Sequence, residues 1–97
     1  MIKAILRPEM IQISGHANYD EYGLDIVCSS ISTAIIMTLN LIELFELSNN
    51  IVYDLKEGYF QLLIKLKDDN LEKILNNLTY TVENISKQYP KNVKINK

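Results

Sequence analysis

The chain opens with two short stretches in which apolar and polar side chains alternate. Apolar residues occupy every second position over 2–6, and the same period of two returns over 10–14, as is typical of half-buried β-strands. Between the stretches, Pro8 presets a turn conformation and lacks the N–H that a central strand needs. The pattern therefore predicts a β-hairpin that turns at 7–9 and ends at Gly15.

A long apolar segment follows a polar loop at 18–23. The carboxylate of Asp25 is suited to cap the first turn of a helix, so we expect a helix from there to about Leu47, with Cys28 in its first turn. No charge occurs over 26–42, but serine, threonine and asparagine dilute this stretch, and we expect it to fall short of a membrane span. Its apolar excess predicts packing on a sheet with one face and on another helix or subunit with the other, which favours a homodimer.

Alternation returns in the second half of the chain. The stretches 51–55 and 60–66 alternate on either side of a turn at Glu57-Gly58, which predicts a second hairpin. Asp68 and Asp69 then cap an amphipathic helix. Its stripe has apolar residues at three- and four-residue spacing: Leu71, Ile74, Leu75, Leu78, Val82 and Ile85.

Pro90 ends this helix, and a short strand is predicted over 93–95. The resulting order is ββαββαβ. It predicts an α+β two-layer sandwich in which two helices cover one mixed sheet of about five strands.

Composition narrows the class of protein. We expect the 97 residues to form a single domain, because a chain of this length buries enough surface for one core. Ten basic and twelve acidic residues give a net charge of −2, so no cationic field favours direct binding of nucleic acid. The first apolar run is interrupted by charges too early for a signal peptide, and one cysteine cannot form an intramolecular disulfide. These features predict a cytoplasmic protein.

The single cysteine and the single histidine are the candidates for chemistry. His16 follows Gly15 at the predicted end of a strand, and Cys28 comes twelve residues later. A thiol in the first turn of a helix feels the positive end of the helix dipole, and a nearby imidazolium lowers its pKa further. The first-turn amides are suited to stabilise an oxyanion, and Asp25 is placed to orient the imidazole. A buried structural cysteine and a tolerated histidine fit the same spacing, so this alternative stays open.

The carboxylates, the glycines and the possible metal ligands of the chain give weaker indications of function. Glu43 and Glu46 fit exposed helix positions, and the three glycines of the chain are too dispersed for a phosphate-binding loop. One cysteine and one histidine are too few for a structural zinc site, so we expect neither a metal nor a cofactor. In the loop, Tyr19 and Tyr22 are candidates for contact with a substrate.

Two motifs, one before this loop and one that begins within it, are more specific than a bare histidine and cysteine. The first is Gly15-His16-Ala17. The second spans 21–32 and reads Glu-Tyr-Gly-Leu-Asp-Ile-Val-Cys-Ser-Ser-Ile-Ser. Both resemble the signature of the bacterial ribosomal-processing cysteine proteases, the Prp family, and the resemblance extends over the chain in length and in ββαββαβ order.

The resemblance implies roles for individual residues. It makes Cys28 the nucleophile of a thiol endopeptidase and His16 the general base that later protonates the leaving amine. The motif positions with supporting roles are Gly15, Gly23, Asp25 and Ser32. Gly23 is in addition expected to be a hinge of the loop, with Tyr19 or Tyr22 closing over the substrate.

The resemblance also implies a substrate and an assembly. The family removes a short N-terminal extension from large-subunit ribosomal protein twenty-seven by cutting beside a pair of phenylalanines, which supports ribosome assembly. It also implies a homodimer, in agreement with the apolar excess of the first helix. A precursor ribosomal protein is therefore the expected partner.

Two other classes of function stay open from the residues alone. A non-enzymatic module that binds a partner protein at the ribosome is compatible with the same helix and loop. A small RNA-binding domain is disfavoured by the net negative charge and by the scarcity of aromatic pairs in the strands.

Overall fold

The predicted element order is confirmed by the fold. The computed structural model describes residues 1–15 and 24–97, with the backbone alone for residues 24 and 25. The elements are β1 (Ile2–Arg7), β2 (Met10–Ser14), α1 (Leu24–Leu44), a 3₁₀ turn (Ser48–Asn50), β3 (Ile51–Lys56), β4 (Tyr59–Ile64), α2 (Asp69–Gln88) and β5 (Val93–Asn96).

The five strands form one open mixed sheet in the order β3-β4-β2-β1-β5. All neighbouring strands are antiparallel except β1 and β5, which are parallel. The connection through α1 takes the chain from β2, in the centre, past β4 to the edge strand β3. This order places the end of β2 beside the turn between β3 and β4, where the candidate site lies.

Alternation along the strands separates a covered face of the sheet from an open one. Buried side chains of β1, β2 and β4 form one core cluster with those of both helices, and the helices also contact each other. The intervening positions carry mostly polar or charged groups, such as Gln61, whose side-chain amide donates to the Gln12 side chain over 3.2 Å. The expected two-layer α+β sandwich is therefore the observed architecture.

The start of α1 differs from the sequence prediction. The helix begins at Leu24, so Asp25 is a helical residue and not the N-cap. Cys28 is accordingly the fifth residue of the helix and lies beyond its first turn. An acidic residue is favourable inside the first turn as well as at the cap, which is why the sequence did not distinguish the two positions.

The end of α1 comes three residues earlier than the predicted Leu47. Glu46 has a positive φ of 59°, its N–H donates to the carbonyl of Glu43, and the N–H of Leu47 donates to the carbonyl of Ile42. This is the Schellman arrangement, in which the chain leaves the helix through one left-handed residue. It turns Leu47 back into the core, where it is buried with Ile42.

The apolar character of α1 is greater than the sequence analysis allowed. The stretch Ile26–Leu44 has 19 residues with a mean hydropathy of 1.6, and is long and apolar enough to cross a membrane by length and composition. Length and composition alone do not make the stretch a span, so the expectation that it falls short of a membrane span is not contradicted. The core helix of a soluble protein meets the same criterion; here 28% of the stretch is buried, including Val27, Ile31 and Ile35 in the core.

The second helix follows the prediction closely. The side chain of Asp68 accepts hydrogen bonds from the amides of Asn70 and Leu71 at 2.8 and 3.1 Å, as an N-cap does. All residues of the predicted stripe are buried except Ile85, which is partly buried. The preceding strand is shorter than predicted: β4 ends at Ile64, so Leu66 is exposed.

Candidate active site

Cys28 lies on the flank of α1, between its buried face and solvent. Val27 and Ile31 are buried and hold this part of the helix against the sheet. Cys28 is half-buried and packs against the edge of the core. Cys28 therefore lies at the boundary between the core and solvent.

A cavity of about 520 Å³ opens beside Cys28. One wall is the flank of α1, on which Cys28, Ser32 and Ile36 follow one another at four-residue spacing. The opposite wall is the end of β2 and the hairpin of β3 and β4. It consists of Ile13, Ser14, Gly15, Leu55, Lys56, Glu57, Gly58, Tyr59 and Phe60.

Gly15 joins two parts of this wall. Its φ is 141°, and a Cβ at this position would overlap the carbonyl oxygen of Met1 and lie 2.9 Å from the Cα of Ile2. Its N–H donates to the carbonyl of Gly58 over 3.0 Å, which fixes the end of β2 to the β3–β4 turn. Any side chain at Gly15 therefore displaces the backbone of Met1 and Ile2, and Ile2 lines the same cavity as Cys28.

The structure brings three of the sequence-predicted site residues to one cavity: Gly15, Cys28 and Ser32. Ser32 is exposed and one turn beyond Cys28. The backbone of Asp25 lies in the first turn of α1, and its side chain is outside the description. The remaining predictions fall outside the described residues: His16, Tyr19, Tyr22 and Gly23.

Sequence reasoning missed the hairpin tip as part of the site. The turn at Glu57-Gly58 was predicted, but its position beside Cys28 depends on strand order, which local patterns do not encode.

A separate cavity of about 290 Å³ lies between the β1–β2 turn and the start of α2, and Cys28 does not line it. The chemistry of the described residues is therefore centred on the first cavity.

A thiol lining a cavity at the edge of an α+β sandwich defines a candidate thiol-dependent enzyme, and the comparisons with known proteins agree with this class. Residues 1–94 match the family model described as cysteine protease Prp. The chain is 30% identical over 86 residues to the ribosomal processing cysteine protease Prp of Staphylococcus aureus, covering 87% of this chain and 81% of the relative. The chain therefore belongs to the Prp cysteine protease family.

Solved structures show the same fold. A crystal structure of the essential ribosomal processing protease Prp from S. aureus, in complex with a substrate peptide, superposes with a TM-score of 0.79 at 22% identity, over 98% of this chain and 95% of that one. A second structure of that protease, with a covalently linked product peptide, gives a TM-score of 0.73 at 25% identity and the same coverage. A Streptococcus mutans protein gives 0.70 at 23% identity, over 97% of this chain and 89% of that one.

Proposed function

We propose that this chain is a thiol endopeptidase in which Cys28 is the nucleophile and His16 the general base. The proposal is carried by the position of Cys28, the one cysteine of the chain, on a cavity wide enough for a peptide side chain. Membership of a cysteine protease family supports the same role. Gly15, the residue directly before His16 in the sequence, lines the cavity and supports the assignment of the general base to His16.

The reaction follows from the chemistry of a thiol and an imidazole. His16 takes the thiol proton, and the sulfur of Cys28 forms a bond to the scissile carbonyl carbon. The C–N bond breaks as the imidazolium gives its proton to the departing amine, leaving a thioester. Water, deprotonated by His16, then attacks the thioester and releases the carboxylate and Cys28.

Two features of the site bear on the pKa of the Cys28 thiol: its position in α1 and its proposed pairing with His16. Because Cys28 is the fifth residue of α1, it lies beyond the turn in which the helix dipole acts most strongly. The imidazole of His16 is therefore the main source of thiolate character in this proposal. Gly15 and Ser32 support the site as part of its wall. Asp25 is proposed to orient the imidazole of His16, and Gly23 is proposed to be the hinge of the intervening loop.

The proposed substrate is a precursor of large-subunit ribosomal protein twenty-seven, cut beside a phenylalanine pair in its N-terminal extension. The supporting observations are the ribosomal-processing name of the S. aureus relative and the apolar side chains that line the cavity. Phenylalanine rings bury a large apolar area and suit such a lining. Tyr19 and Tyr22 are proposed to close over the bound peptide.

We also propose a cytoplasmic homodimer formed through α1. Ile26, Met37 and Leu44 are exposed, and their spacing of eleven and seven residues places them on one face of the helix. This face is separate from the flank that carries Cys28. Exposed apolar side chains on one face of a helix are typical of a protein–protein interface.

A peptide containing the precursor extension tests the substrate class. The wild-type chain is expected to cut it beside the phenylalanine pair and to leave a matched peptide, with both phenylalanines replaced by alanine, intact. Mass spectrometry of the products identifies the cut. Equal cleavage of both peptides, or a cut elsewhere, would contradict the proposed specificity.

A further inference from the structure

Two adjoining cavities lie between α1 and β3. A second cavity of about 200 Å³ follows the first, between α1 and the start of β3, and is lined by Leu39, Ile51 and Tyr53 among others. Ile36 lines both cavities and so marks their junction. We name this feature the α1–β3 groove; it runs from Cys28 to the region of Ser48.

The groove is lined by apolar side chains that the core does not cover. Alternation along β3 directs Tyr53 and Leu55 to the helix-bearing face of the sheet, together with the buried Ile51. Tyr53 is nevertheless 51% exposed and Leu55 44%, and Ile36 on the opposite wall is 52% exposed. These side chains point into a space that an apolar occupant would fill.

The backbone of β3 offers hydrogen bonds on the same side. In a hairpin with a two-residue turn, the two residues that flank the turn form a hydrogen-bonded pair. In this hairpin they are Lys56 and Tyr59. Along an antiparallel ladder, hydrogen-bonded and non-hydrogen-bonded pairs then alternate. The hydrogen bond from the N–H of Lys65 to the carbonyl of Asn50, over 2.8 Å, continues this alternation, in which the even-numbered residues of this segment bond to β4. The odd-numbered residues of β3 therefore direct their N–H and C=O groups outwards, away from β4.

No other strand among residues 1–15 and 24–97 pairs with this outer edge of β3. An unpaired edge beside an apolar groove is the arrangement that binds extended peptides by strand addition, in which main-chain hydrogen bonds give affinity and alternate side chains give specificity. The first cavity of the groove also contains the proposed nucleophile.

We infer that the α1–β3 groove positions the substrate: an extended apolar stretch of the peptide pairs with the outer edge of β3, and its alternate side chains pack against Leu55, Tyr53 and Ile36. The six residues of β3 span about 20 Å, which accommodates a peptide segment of similar length. This inference rests on the proposed function, because the occupant is its substrate. Leu55 is therefore a positioning residue: it holds the substrate so that the scissile peptide bond lies at Cys28.

Two leucines on opposite faces of the sheet give a matched test by steady-state kinetics. Leu55 and Leu63 are 44% and 42% exposed, and Leu63 pairs with Val52 on the face away from the groove. With the precursor peptide, Leu55→Ala is expected to raise KM by about fivefold to twentyfold with little change in kcat, because an apolar contact made equally in ground and transition states is lost. Leu63→Ala is expected to leave both constants within about twofold of wild type.

Amide hydrogen exchange tests the strand pairing without turnover. In a Cys28→Ala variant saturated with the peptide, the amides of Ile51, Tyr53 and Leu55 are expected to exchange at least about tenfold more slowly than in the unbound variant. The amides of Val52 and Asp54, which already bond to β4, are expected to change little.

The outcomes separate this inference from the proposed function. If the wild-type chain cuts no peptide, the proposed function fails, and the exchange measurement still decides whether a peptide pairs with β3. If the wild-type chain cuts the peptide but Leu55→Ala and Leu63→Ala behave alike, the inference is overturned. Absence of slowed exchange at the odd-numbered residues of β3 overturns it as well.

Discussion

The N–H of Gly15 donates to the carbonyl of Gly58 over 3.0 Å, joining the end of β2 to the turn between β3 and β4. Both glycines line the cavity that contains Cys28. This one hydrogen bond therefore connects the end of β2, directly before His16 in the sequence, with the tip of the hairpin, and both belong to the wall opposite α1.

Gly15 is predicted to tolerate no side chain. Its φ of 141° is costly for any other residue, and a Cβ would meet the backbone of Met1 and Ile2. Gly15→Ala is expected to lower the free energy of unfolding by about 2–3 kcal/mol in urea titration. Gly58→Asn is the control, since φ is 74° there and asparagine tolerates left-handed backbone at a cost of about 1 kcal/mol. Wild-type stability of Gly15→Ala would contradict the steric account.

The helix end at Glu46 is predicted to gain stability from glycine. Glu46 occupies the left-handed position of the Schellman arrangement, where a side chain is unfavourable. Glu46→Gly is expected to raise the free energy of unfolding by about 0.5–1 kcal/mol. The same change at Glu43, inside the helix, is expected to lower it by about 1 kcal/mol. A loss of stability at both positions would show that Glu46 has a contact worth more than the relieved backbone.

Much of the fold was readable from the sequence because its elements are locally consistent. The stripe of α2, its cap at Asp68 and both hairpin turns follow from spacing and residue type. Strand order was not readable, because it depends on contacts between distant segments. The exposure of Tyr53 and Leu55 follows from that order: their alternation is regular, but beyond the buried Ile51 the helices leave this edge strand largely uncovered.

The same division holds at the candidate site. The two motifs pointed to Cys28 and Gly15 from residue type and resemblance, and both line one cavity. The contribution of Gly58 and Leu55 depends on β3 and β4 reaching the start of α1, which no local pattern indicates. The exact start of α1 was missed because an aspartate is suited both to the cap and to the first turn.

Alkylation of Cys28 is predicted to depend on His16. A thiol paired with an imidazole reacts as the thiolate well below the ordinary thiol pKa of about 8.5. The iodoacetamide rate of the native chain is therefore expected to stay high down to about pH 6–7 and to fall at least about tenfold in His16→Ala. Alkylation only after denaturation would indicate a structural cysteine and favour a binding module over an enzyme.

Dimerisation is predicted to depend on the exposed stripe of α1. Met37 lies at its centre and is 59% exposed. By sedimentation, the wild-type chain is expected to have twice the mass of the monomer, and Met37→Glu the mass of the monomer, because a charge in an apolar interface is costly. Leu63→Glu, on the open face of the sheet, is the control and is expected to stay dimeric. A wild-type chain that sediments as a monomer would refute the proposed dimer.

The role of Cys28 as nucleophile is tested most directly by incubating the precursor peptide with the wild-type chain and with Cys28→Ala in parallel and weighing the products by mass spectrometry. Replacement of a half-buried thiol by a methyl group is small, so circular dichroism is expected to show the same fold for both proteins. The account predicts a cut beside the phenylalanine pair in the wild type and none in the variant. Full cleavage by correctly folded Cys28→Ala would contradict it.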